Sequence, residues 1–210
     1  ATWIKPGRSI WHWLSCYCAP KLDQQAWWID RTREMGFEYY LIDDGWRNWN
    51  GGGDAAWKAM EETVSYAKSQ NVAIWAWVDS KYVNKPEERT AYFERTKRLG
   101  IVGLKIDFPK PANSTWVQWY DDVLRDAAKY QLMIDFHGAV KPTGRERTWP
   151  HEMTREAIAG IAPEAGHEAE VDARREASGI GVEPEPPVER ALVHDAHVGP
   201  HAVVPRAAEL

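Results

Sequence analysis

Two short stretches carry much of the reactive chemistry in this chain: Gly103-Leu-Lys-Ile-Asp-Phe108 and Met133-Ile-Asp-Phe-His-Gly-Ala-Val-Lys-Pro-Thr-Gly144. Each is an apolar run that ends in charge, the pattern of a buried parallel strand whose carboxyl end opens into an active site. Side chains two apart on a strand share a face, so Lys105 and Asp107 point one way, as do Asp135 and His137. An acid beside a permanent cation keeps a low pKa and stays ionised. Held at a strand tip, it can act as nucleophile, as base, or as anchor for a sugar hydroxyl. The plainer reading of Asp107 is a helix cap or a structural ion pair with Lys105.

Other strand ends repeat the pattern. Asp43 and Asp44 precede Gly45 and Trp46. Paired acids can grip two sugar hydroxyls while Trp46 stacks on an apolar sugar face, although Asp-Gly is also strong turn chemistry. Asp79 closes Trp75-Ala-Trp-Val-Asp79 and, taken alone, reads as a cap. His137 precedes Gly138, which permits close approach of a ligand. The plainer reading of His137 is a hydrogen-bonded scaffold residue. Lys141, Arg145 and Arg147 mark a cationic loop able to contact substrate or to pin carboxylates. Trp11 and Trp13 read as sharing one face of a first strand, either as core or as the floor of a sugar site. Cys16 and Cys18, one residue apart on an extended segment, read as free thiols.

The elements that must position these side chains follow a regular spacing. Strand-like runs begin near Ser9, Phe37, Val72, Ile101 and Leu132, about 30 residues apart. Helix-like segments lie between them. Trp116, Trp119, Tyr120, Val123, Leu124 and Ala127 form one helical face, with Asn113 and Ser114 as candidate caps. Weaker stripes run from Leu22 to Met35 and from Ala56 to Ala67, and Gly36 and Gly100 stand where helices stop. Five β/α units predict a parallel sheet. No Gly-rich phosphate loop follows the first strand, and charge gathers at several strand ends, which favours a partial (β/α)8 barrel over a doubly wound dinucleotide fold.

Composition sets limits around that core. The chain has 210 residues and a net charge of −5, so no basic surface points to nucleic acid. No apolar run is long enough to span a bilayer, and no signal peptide is visible. All 13 Trp, 8 Tyr and 4 Phe lie between Trp3 and Trp149. Beyond, the sequence turns to Ala, Glu, Pro, His and Arg, which predicts barrel sequence over residues 1–162 and a poorly structured tail over 163–210.

Together the pieces resemble glycoside hydrolase family 97, the calcium-dependent α-glucosidases and α-galactosidases. The resemblance rests on Trp3-Ile-Lys-Pro-Gly-Arg8 leading to Trp11 and Trp13, Glu34-Met-Gly-Phe-Glu-Tyr-Tyr-Leu-Ile-Asp-Asp-Gly-Trp46, the two stretches named first, Arg147-Thr-Trp-Pro150 and Met153-Thr-Arg-Glu156. It covers roughly residues 1–160. It implies a (β/α)8 catalytic domain acting on an oligo- or polysaccharide, exported by a bacterium to the periplasm or beyond, with calcium as cofactor. Gly138 stands where inverting members of the family place a glutamate, and Asp107 where retaining members place their nucleophile. The resemblance therefore implies a retaining α-galactosidase-like enzyme. In it Lys105 keeps Asp107 ionised, and Asp43 and Asp44 hold the sugar's 4- and 6-hydroxyls by analogy with related barrels. Trp46, His137 and Lys141 complete the expected substrate-binding set. After Glu156 the family pattern is lost, and neither the acid/base nor the calcium ligands can be placed. The expectation is an incomplete barrel, inactive or self-associating through exposed edges. The alternatives are a non-catalytic sugar-binding half barrel and a metal-dependent hydrolase using Asp43, Asp79, Asp107 and His137.

Overall fold

The computed structural model describes residues 1–16, 18–109, 114–142 and 144–156. The tail expected over 163–210 and the candidate cap Asn113 lie outside them. Six parallel strands form one sheet in sequential order, β1 (Ser9–Trp11), β2 (Tyr39–Ile42), β3 (Ala73–Asp79), β4 (Gly103–Asp107), β5 (Met133–Phe136) and β6 (Glu152–Arg155). Sequential order with every neighbour parallel is the topology of a (β/α)8 barrel, here a half-barrel with helices crossing between strands. The helices are α1 (Trp13–Cys16), α2 (Gln25–Glu34), α3 (Gly53–Ser69), α4 (Pro86–Leu99) and α5 (Ser114–Lys129).

Period-2 alternation divides the strands into two faces. Tyr40, Ile42, Ile74, Ala76, Val78, Leu104, Ile106, Ile134 and Phe136 are buried against the helices, where Val123, Leu124 and Ala127 of α5 and Met60 and Val64 of α3 meet them. On the opposite face Tyr39, Trp75 and Met133 form a separate apolar layer with Leu41 and Met153. Gly103 belongs to this layer because the Trp75 indole lies across it: a Cβ there would stand 2.5 Å from the ring. The same face, followed toward the strand ends, presents Asp43, Trp77, Lys105, Asp107 and Asp135. The apolar layer thus floors the charged one.

Three expectations need correction. There are six strands rather than five: Glu-Met-Thr-Arg carries no apolar run, and its Glu152–Arg155 ion pair is buried while Arg155 stacks over Tyr120 and Phe136. Trp13 does not share a strand face with Trp11, because β1 ends at Trp11 and the chain turns into α1. Cys18 is disulfide-bonded rather than a free thiol. The helical turn of α1 removes the extended geometry on which the free-thiol reading depended.

Candidate active site

The tips of β2 to β5 and the residue after β6 converge on two linked carboxylates. Asp107 ends β4, and its side chain is 7% exposed. Its Oδ2 accepts the Trp77 indole N–H at 3.0 Å from β3, and its Oδ1 accepts the Phe108 backbone N–H at 2.8 Å. His137 Nδ1 stands 3.1 Å from the same Oδ1, and its Nε2 is paired with Glu156. Glu156 continues β6, its N–H bonded to the Phe136 carbonyl, so it lies level with His137. A single imidazole therefore bridges two carboxylates. Gly138 turns the chain away at φ +59°, and a Cβ there would come within 3.3 Å of Asp107 Oδ1.

Burial alone would raise the Asp107 pKa, but the hydrogen bonds from His137 and Trp77, aided by the His137 and Lys105 charges, outweigh it and hold the carboxyl below its ordinary value. Burial likewise works against a charged His137. The hydrogen bond to Asp107 and the charges of Asp107 and Glu156 overcome both burial and Lys105, and its pKa rises. The signs set a pH window. The His137 contribution to stability is complete below its ordinary value near 6.5 and is lost as pH rises through the raised folded value. The Asp107 contribution is present above its ordinary value near 3.8 and is lost as pH falls through the depressed folded value. A histidine NMR titration should therefore place the His137 midpoint above the ordinary value, and Asp107→Asn should bring it down. An unchanged midpoint in that variant would break the assignment.

The second carboxylate, Asp43 at the tip of β2, is buried. Its Oδ2 accepts Lys105 Nζ at 2.9 Å, with both side chains 4% exposed, and also accepts the Trp11 indole N–H. Its Oδ1 takes the Asp44 backbone N–H at 2.6 Å. Lys105 Nζ lies 4.3 Å from the centre of the Trp11 ring, a cation–π contact. Lys105 is thus the direct partner of Asp43, and it acts on Asp107 only through space. Asp44 is exposed beside this pair. Partial burial, then the charges of Asp43, Asp107 and Asp79, push its carboxyl upward.

Not every expected residue joins the site. Trp46 is fully buried, T-shaped against Trp57, and donates its N–H to the Trp77 carbonyl at 2.9 Å. The left-handed turn at Gly45 carries it into the core, where it offers no face to a sugar. Asp79 caps the turn after β3, accepting from the Lys81 N–H and pairing with Lys81 Nζ at 2.8 Å. Lys141 is exposed on the loop after β5. Sequence reasoning assigned no role to Trp77 or Glu156. The signal for Trp77 was its alternation with Asp79. The signal for Glu156 was its place two residues beyond Thr154, which bonds Asp135 at 2.6 Å across β5 and β6.

Among the described residues no group of three or more His, Cys, Asp or Glu side chains is arranged to hold a metal ion. Both ring nitrogens of His137 face carboxylates, and Asp43 is neutralised by Lys105.

Three comparisons bear on this geometry. Residues 21–158 match the family model described as Glycoside hydrolase 97. A probable retaining alpha-galactosidase of Streptomyces bingchenggensis is 33% identical over 168 residues, covering 76% of this chain and 26% of that protein. The retaining alpha-galactosidase of Bacteroides thetaiotaomicron is 28% identical over 172 residues, with the same two coverages. Among solved structures, a beta-arabinopyranosidase superposes with a TM-score of 0.66 at 29% identity, over 72% of this chain and 26% of that one. The chain spans about a quarter of the length of the relatives it matches.

Proposed function

The chain belongs to glycoside hydrolase family 97, and from that membership we propose that it supplies the nucleophile side of a retaining α-galactosidase site, with Asp107 as nucleophile. The observation that carries the reading is Asp107 itself. It is a buried, ionised carboxylate fixed at a barrel strand tip by Trp77, the Phe108 N–H and His137. Its oxygen would attack C1 as the bond from C1 to the leaving oxygen breaks, forming a β-galactosyl ester. Water would then attack C1, displace the carboxylate and restore the α configuration. The relatives' names, two retaining α-galactosidases and a β-arabinopyranosidase, support a galacto-configured ring. β-L-Arabinopyranose matches α-D-galactose at every ring carbon and lacks only the C6 hydroxymethyl group. The geometry assigns no proton donor among the described residues, so the proposal places full turnover on natural substrates with additional barrel strands.

The test needs no proton donor. An α-galactosyl fluoride carrying a second, ester-stabilising fluorine loses fluoride without acid assistance, and the ester accumulates. One sugar per chain, on the peptide containing Asp107 and absent from Asp107→Asn, is the expected mass spectrum. Labelling elsewhere, or labelling that survives in Asp107→Asn, overturns the assignment. A sugar-binding half barrel without chemistry would bind the reagent reversibly and show no adduct.

A further inference from the structure

Phe108 stands out beside the nucleophile. It is 60% exposed, while Asp107, Trp77 and Ser80 around it are buried. Its backbone lies in the left-handed region at φ +57°, a costly state for a bulky side chain. The other non-glycine residues described there are Asn50, Asn71 and Gln131; the last two sit two residues beyond the ends of α3 and α5, in ordinary helix-exit turns. Phe108 instead follows a strand and is clamped on both sides. Its N–H donates to Asp107 Oδ1 and its carbonyl accepts the Ser80 hydroxyl, each at 2.8 Å. Its ring meets Trp77 edge-on at 6.4 Å between centroids, and Trp77 holds the other oxygen of Asp107. The ring is thus locked to the nucleophile through backbone and side chain alike, yet turned to solvent.

We propose that Phe108 is the aromatic platform for the aglycone, setting a preference for leaving groups with a flat or apolar face. This rests on Asp107 as nucleophile. Chain direction gives the assignment: buried Asp107 is the group placed to reach C1, and Phe108, one residue beyond the carboxyl end of β4 and exposed, lies on the outward side of the nucleophile. An aromatic face rewards an arene or the apolar side of a second sugar and does little for a methyl group.

The experiment measures binding of methyl and p-nitrophenyl 1-thio-α-D-galactopyranosides, which resist hydrolysis, to the 210-residue chain by calorimetry. The native chain should prefer the aryl ligand. Phe108→Gly, which removes the ring and also relieves the positive φ, should lose about 2- to 12-fold in aryl binding. It should keep methyl binding and a melting temperature at least as high as native, and Phe108→Tyr should retain the preference. Equal weakening of both ligands would place the ring on the glycone and overturn the platform. An unchanged aryl preference, with a lower melting temperature, would show that the ring packs against protein and also overturn it. If the native chain binds neither ligand, the α-galactoside reading fails and the platform fails with it; methyl binding without an aryl effect removes the platform alone.

Discussion

Asp107→Gly should abolish release of p-nitrophenol from p-nitrophenyl α-galactoside, and azide should restore it as β-galactosyl azide. Removing the nucleophile of a covalent enzyme lowers turnover on the order of 10^5-fold or more, because no other group provides the first displacement. The glycine variant leaves a space below C1 on the face that the carboxylate occupied. Azide can enter there, attack C1 and expel p-nitrophenolate, giving a product of inverted configuration. Rescue separates chemistry from collapse. Asp107 accepts from Trp77, Phe108 and His137, so its loss leaves the buried Trp77 N–H unpaired at about 1–3 kcal/mol. Asp107→Asn keeps the shape and one acceptor but turns its NH2 toward one of these N–H donors, and should be equally inactive while still folded, at a stability cost of about 1–3 kcal/mol. Inactivity of both variants with rescue of the glycine form identifies the nucleophile. Residual activity in Asp107→Asn near the native level would assign the attack to another group.

How far the sequence carries toward this site depends on the kind of interaction. Five strands are legible because their apolar runs recur at regular spacing, and in β2 to β5 those runs are buried on the helix side and end in charge. The sixth is not, since Glu152 and Arg155 are buried as an ion pair and leave no apolar trace. Asp107 and His137 are legible because each ends an apolar run. Their mutual contact follows from β4 and β5 being neighbours. The partner of Lys105 is a different matter. Asp43 lies two strands away, beyond β3, and a long side chain crossing a barrel interior obeys no rule written along one strand. Trp11 lies on the neighbouring strand β1 and was read as core or as the floor of a sugar site, whereas its indole N–H is spent on Asp43. Trp46 was misread for a local reason. Asp-Asp-Gly-Trp looks like a loop presenting an aromatic ring, and only the left-handed Gly45 and the waiting Trp77 carbonyl send that ring inward.

The Lys105–Asp43 pair gives the largest expected effect on stability. Lys105→Met fills a similar volume but leaves Asp43 buried with two N–H donors and no counter-charge. Breaking one side of a buried pair costs about 3–5 kcal/mol, which for a chain of this size lowers the melting temperature by roughly 6–20 °C. The cation–π contact with Trp11 disappears at the same time. Lys81 and Asp79 provide the control: that pair has the same short separation, but Lys81 is 66% exposed, and Lys81→Met should change stability by less than about 1 kcal/mol. Replacing both members of the buried pair, Lys105→Met with Asp43→Leu, should recover much of the loss, since two well-packed apolar groups carry no desolvation penalty. Its cost should instead fall on binding, because Asp43 and Lys105 would be missing from the charged layer above Trp75. If Lys105→Met melts within a degree or two of native, Asp43 must find another counter-charge or water, and the dry ion pair at the centre of this site is not what holds it.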